Sequence, residues 1–167
     1  MPSFYKHVHR KKDGRELILY GLHPLEVEVL PVAEEPSLPQ EAGSISPSPH
    51  LRYHPLRGEW VVYAAHRQER TFLPPKEHCP LCPSQEGGFP TEIPFDRFRV
   101  AVFENRFPSL VPRPTPPPDG LPVPAERALG RCEVVVYTQA HVGSLATLTE
   151  EERLLLAWVW RDRYRAL

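Results

Sequence analysis

Cys79-Pro80-Leu81-Cys82-Pro83 is the stretch from which the rest of this chain is read. Two cysteines separated by two residues, with proline between and after them, form a tight turn. That turn aims both sulfurs at one point, as a tetrahedral zinc site requires of half its ligands. Cys132 is the only other cysteine, so a four-cysteine site is excluded and histidine must complete any metal site. Two other readings stand beside the metal: a redox pair and two unrelated thiols. A redox pair belongs at a helix start within a βαβ unit. The prolines around this turn leave no room for such a unit.

Outward from the turn, proline is the compositional outlier, at 22 of 167 residues. The prolines cluster at Pro31 to Pro55, Pro74 to Pro94 and Pro108 to Pro124. Each cluster withholds the donors that a central strand needs, so these stretches read as loops wrapped between short strands. Ser37 to Pro49 reads as a Pro/Ser linker. The apolar fraction of 41% is enough for a core. A net charge of −1 argues against bulk affinity for nucleic acid or membrane. No apolar run approaches a membrane span, and the first residues carry no apolar signal region. The expectation is a cytoplasmic protein with reduced cysteines.

Strands fall between the loops. Tyr5 to Lys11 and Glu16 to Tyr20 flank Lys12-Asp13-Gly14-Arg15, and Asp-Gly between two extended runs predicts a hairpin. Leu25 to Val32 alternates and is expected to form a third strand. Trp60 to Ala64, Phe98 to Phe103 and Glu133 to Tyr137 follow. The unbroken apolar run of the last predicts cover on both faces. Thr149 with Glu152 makes a capping box for a helix, on which Leu154, Leu155, Trp158 and Tyr164 recur at helical spacing. That helix reaches Leu167 without a stop signal, and the chain is expected to be cut short there.

Several side chains are candidates for chemistry. Arg67 and Arg70 follow the Trp60 strand, and two guanidinium forks there suit phosphate oxygens. A solvated charged turn is the alternative. Asn105, at a strand end, either caps a turn or meets a ligand hydroxyl. His141, after the Val134 to Tyr137 strand, is the best internal candidate to join the cysteines, although a loop histidine is commonly a surface residue. His78 abuts Cys79. His7-Val8-His9 puts two rings on one face of a strand, but Lys6, Arg10 and Lys11 disfavour a cation there.

Together these segments resemble the galactose-1-phosphate uridylyltransferases, of the histidine-triad superfamily. The motifs are Arg52 to Val62 with His66-Arg67-Gln68-Glu69-Arg70, then the cysteine turn, then Phe103-Glu104-Asn105-Arg106-Phe107-Pro108, then Cys132 to Tyr137 with His141 and a Trp-bearing helix. The resemblance covers about Leu51 to Leu167, the N-terminal half of the uridylyltransferase domain. Residues 1–50 are then an N-terminal hairpin extension and linker. It implies an incomplete α+β fold: a mostly antiparallel, half-barrel-like sheet with a packed helix.

It also implies exchange of UMP between UDP-glucose and galactose 1-phosphate by double displacement, with a covalent uridylyl-histidine. Cys79, Cys82 and His141 match three of four zinc ligands. Arg67 and Arg70 match phosphate-side arginines, Pro80 and Leu81 the residues beside uracil, and Asn105 a ribose contact. UDP-sugar and hexose 1-phosphate are the implied substrates, and the full-length enzyme is expected to be a homodimer. Arg106 stands where some members carry aspartate. The family's catalytic H-P-H-x-Q segment is absent from these residues, so no catalytic residue is assigned and this stretch alone is expected to be inactive. An enzyme using adenine nucleotides, such as an ADP-sugar phosphorylase, and a non-catalytic zinc-knuckle module are the alternatives.

Overall fold

The computed structural model describes residues 4–31, 49–65, 74–88 and 90–167. The chain divides into two compact units. One comprises Met1–Leu38, Leu73–Phe103 and Val134–Leu167. The other comprises Pro39–Phe72 and Glu104–Glu133.

The first unit is built on a four-stranded sheet. β1 (Tyr5–Arg10) and β2 (Glu16–Gly21) form the expected hairpin, with Tyr5 opposite Gly21 and Arg10 opposite Glu16. Gly14 turns the chain at φ 85°, a conformation that its missing Cβ makes cheap. The N–H groups of Lys11 and Gly14 close the turn on Arg15 O and Lys11 O, both at 2.9 Å. β5 (Val100–Glu104) pairs antiparallel with β2, and β7 (Glu133–Val136) lies beyond β5. β2 therefore has a strand on each side, and Leu17 to Gly21 are buried.

Its alternating side chains serve two cores. Ile18 and Tyr20 join Val100, Val102, Leu155, Leu156 and Val159 on the helix side. Leu17 and Leu19 join Ile93, Phe95, Phe98, Ala101 and Phe103 on the other. β7 likewise sends Val135 to the helix side and Val134 and Val136 to the opposite core. Both its faces are engaged, but its valines stay half-buried, and among the described residues β7 is at the edge of the sheet.

α1 (Glu150–Ala166) starts at the predicted capping box. Glu152 N–H donates to Thr149 Oγ1 at 3.2 Å, and Thr149 N–H donates to Glu152 Oε2 at 2.9 Å. The buried stripe is Leu155, Leu156, Val159 and Arg163, with Trp158 half-buried. Two of the residues expected on it are not there: Leu154 is 51% exposed and Tyr164 86%. Apolar character alone misplaced that face, since the sheet selects which stripe is covered.

Leu25 to Val32 does not form the expected strand. Its described residues are irregular, and Leu30 N–H meets Pro94 O at 3.0 Å. Leu25 and Val27 instead pack as loop side chains against the core that holds Phe95. Pro31, inside the segment, has no N–H to give a ladder, and Pro24 immediately precedes it.

The second unit carries a three-stranded antiparallel sheet. β3 (His50–His54) lies between β4 (Glu59–Tyr63) and β6 (Ala125–Arg127). Gly58, at φ 67°, closes the β3–β4 turn, its N–H donating to His54 O at 2.8 Å. Tyr53 and Trp60 pair edge to face at 5.5 Å, and the Arg52 guanidinium lies 4.0 Å from the Tyr63 ring. The fold is thus α+β as expected, with its strands divided between two sheets and not gathered into one.

Candidate metal centre

The cysteine turn is entered from a single 3-10 turn, Lys76–His78. Its backbone bonds run in sequence: Cys79 N–H to Lys76 O and Cys82 N–H to Cys79 O, both at 3.3 Å. Successive tight turns of this kind leave little freedom between the two sulfurs. Cys79 is buried and Cys82 half-buried.

The structure brings His141 to this turn. Cys79, Cys82 and His141 each offer a ligand atom, and these atoms lie within 4.8 Å of one another. Cys82 Sγ is 3.4 Å from His141 Nδ1. Zinc–sulfur bonds of about 2.3 Å and zinc–nitrogen bonds of about 2.0 Å at a tetrahedral angle place the two atoms roughly 3.5 Å apart. Thiol, thiol and imidazole at this spacing fit a zinc-type ion. A cavity of about 170 Å³ opens over them, lined also by Leu81, Val134 and Tyr137.

Two influences push the Cys82 thiol up to about 11: burial first, then the Cys79 thiol beside it, against a smaller opposing effect of Lys76. Two thiols share one small volume, and a cation there would relieve that crowding.

His141 owes its place to the loop after β7. Gln139 Nε2 donates to Phe98 O at 2.5 Å and to Asp96 O at 3.0 Å, and Ala140 N–H donates to Thr138 Oγ1 at 3.1 Å. Nothing in the local sequence marks Gln139 for this role. Its partners are distant backbone carbonyls that only the folded chain supplies.

The other candidates have different surroundings. His78 ends the 3-10 turn but does not belong to the cluster found among the described residues. His7 and His9 do share a face of β1, and both rings pack edge-on against Phe95, at 6.5 and 5.0 Å. Burial, His7 and Lys11 lower the proton affinity of His9. Pro80 is exposed and Leu81 half-buried against the Phe95 core. Asn105 makes a turn: its Oδ1 accepts from Phe107 N–H at 3.0 Å, while its own N–H donates to Cys132 O at 2.8 Å. Arg67 and Arg70 lie outside the described residues.

Residues 40–167 match the model of the galactose-1-phosphate uridyl transferase N-terminal domain. The chain belongs to this family. The Streptomyces lividans galactose-1-phosphate uridylyltransferase is 35% identical over 154 residues, 92% of this chain and 37% of its own length. The Thermotoga maritima galactose-1-phosphate uridylyltransferase is 40% identical over 121 residues, 70% of this chain and 36% of its own. A solved structure described as a uridylyltransferase has a TM-score of 0.49 and 25% identity, covering 70% of this chain and 35% of its own.

The chain thus spans a little over a third of the curated uridylyltransferases it matches. The cysteine turn and His141 lie inside the part matched by the family model. A match over 92% of the chain also has to include the residues of β2. Among the described residues no helix is long and apolar enough to cross a membrane.

Proposed function

We propose that this chain is part of an enzyme that exchanges UMP between UDP-glucose and galactose 1-phosphate, and that it contributes three zinc ligands and part of the nucleotide pocket. The observation that carries the reading is the convergence of Cys79, Cys82 and His141 within a chain of this family. Zinc, with its preference for thiolate and imidazole, would bind between the two sulfurs and the His141 imidazole and rigidify the turn that carries Pro80 and Leu81.

On that turn the exposed Pro80 ring and the half-buried Leu81 side chain would support uracil. Asn105 would meet the ribose through whatever hydrogen-bonding capacity its turn leaves free. Arg67 and Arg70 would hold phosphate oxygens bidentately, neutralising charge as the bond to the α-phosphorus is exchanged. The family's H-P-H histidine takes UMP from UDP-glucose, releasing glucose 1-phosphate, and then gives it to galactose 1-phosphate, forming UDP-galactose. A histidine-triad-like, half-barrel arrangement, a homodimer and a cytoplasmic location belong to the same proposal.

The test is turnover by the whole protein. With UDP-glucose and galactose 1-phosphate supplied, UDP-galactose and glucose 1-phosphate should appear in equal amounts, with UMP covalently held at an intermediate stage. Zinc should co-purify at one ion per intact cysteine–histidine site. No exchange with uridine substrates, alongside turnover of an ADP-sugar, sinks the uridylyltransferase reading.

A further inference from the structure

Glu92 is a carboxylate with 11% of its side chain exposed, in the loop that follows the cysteine turn. Its backbone and its side chain face different partners. Its N–H donates to Pro80 O at 2.9 Å, between the two cysteines. Its neighbours reinforce the contact: Ser84 N–H donates to Ile93 O at 2.9 Å, and the Ser84 and Thr91 hydroxyls meet at 3.0 Å. Residues 91–93 therefore form a backing strip along the cysteine turn.

The Glu92 carboxylate points into the turn of the β1–β2 hairpin. Lys11 Nζ and, at 2.7 Å, Arg15 Nη2 both bond Oε2. Arg15 is held in turn by Asp13, at 2.7 Å. Two cations and two anions balance, and the Lys11 and Arg15 side chains are only 13% and 15% exposed. Apolar side chains would anchor a loop as strongly as a buried ion network does. What the charges add is direction, since Lys11 and Arg15 both draw the one oxygen, Oε2, toward the hairpin turn.

We propose that Glu92 is a positioning residue for the metal centre. The hairpin turn, through Lys11 and Arg15, fixes Glu92, and Glu92 fixes the Pro80 carbonyl between the two sulfur ligands. This rests on the metal reading above. It gives the N-terminal hairpin a task in the site: holding the distance between the cysteines before the ion arrives.

The test compares zinc release to a chelator from the whole wild-type protein and from Glu92→Gln, Lys11→Met and Asp162→Asn. Asp162 makes a similar cluster with Lys6 and Tyr20, but on the helix side of the same sheet. It reports general loosening. Glu92→Gln should release zinc about tenfold faster or more, within the range for lost supports around metal ligands. Lys11→Met should act in the same direction, and decides the matter should Glu92→Gln not fold. Asp162→Asn should release at the wild-type rate even with a lowered melting temperature.

Cobalt-substituted protein gives a readout that stability does not move. Its thiolate charge-transfer and d–d bands should shift in Glu92→Gln and stay fixed in Asp162→Asn. Wild-type release and spectrum in both Glu92→Gln and Lys11→Met, or equal acceleration by Asp162→Asn, overturns the inference and leaves the metal reading intact. A wild-type protein that takes up neither zinc nor cobalt overturns the metal reading, and the inference with it.

Discussion

Replacing Tyr20 by phenylalanine removes one oxygen from the seam between β2 and α1. Tyr20 is fully buried, and its hydroxyl donates to Asp162 Oδ2 at 2.7 Å. Burial, and then Asp162 itself, push the phenol well above its ordinary range, so it remains a donor at every accessible pH. Phenylalanine keeps the edge-to-face contact with Trp158, at 5.7 Å, and the loss is confined to the hydrogen bond. A bond to a charged acceptor contributes about 1.5–3 kcal/mol. Asp162 keeps Lys6 at 2.7 Å and is 26% exposed, so water partly replaces the hydroxyl. The low end, about 1.5 kcal/mol, is expected, or a fall in melting temperature of roughly 3–6 °C for a protein of this size.

The effect should depend on pH. Burial raises the Asp162 carboxyl, but the hydrogen bonds of Lys6 and Tyr20 outweigh it and hold the group below the ordinary carboxylate value of 3.8. A depressed folded value gives stability that is present above the unfolded value and lost as pH falls through the folded one. The gap between wild type and Tyr20→Phe should therefore close in that acid window. Urea denaturation at neutral pH, thermal melts taken down to about pH 3 and a double-mutant cycle with Asp162→Asn measure it. Additive single effects, or a gap unchanged by acid, would refute the reasoning.

Three further outcomes follow from the same contacts. Thr149→Ala removes the oxygen that receives Glu152 N–H and should cost about 1 kcal/mol, read as a shift in the denaturant midpoint. Cys82→Ser should abolish zinc retention through gel filtration. Because the wild-type thiol sits at about 11 and only thiolate binds the ion, Cys82 should add about tenfold to wild-type zinc affinity per unit between pH 7 and 9, which Cys82→Ser lacks. Arg67→Lys should leave zinc content unchanged and slow uridylyl transfer roughly ten- to a hundredfold, the cost of a charge-assisted bond. Wild-type kinetics would return Arg67 to a solvated turn.

The elements legible in advance were those with local causes. Asp13-Gly14 specified the β1–β2 turn, and Thr149 with Glu152 specified the start of α1. β3 and β6 were not anticipated. β6 has three residues, too short for any periodic pattern, and both strands depend on the pairing that β3 makes with its neighbours. Leu25 to Val32 shows the opposite error: its alternation was real, but Leu25 and Val27 found a core to pack against without a strand partner.

At the candidate site, the sequence alone determined the donor types and the turn joining Cys79 to Cys82, because residues so close along the chain have few conformations. It ranked His141 as the best candidate among several histidines, without placing it at the turn. The tertiary structure decided for it, placing Nδ1 3.4 Å from Cys82 Sγ across 59 residues. It equally decided that His7 and His9 pack on Phe95, that Gln139 secures the His141 loop, and that Glu92 joins the hairpin to the cysteine turn. These contacts join residues far apart in sequence. Burial of the two cores and pairing along β2 bring them together, and no local pattern encodes such a distance.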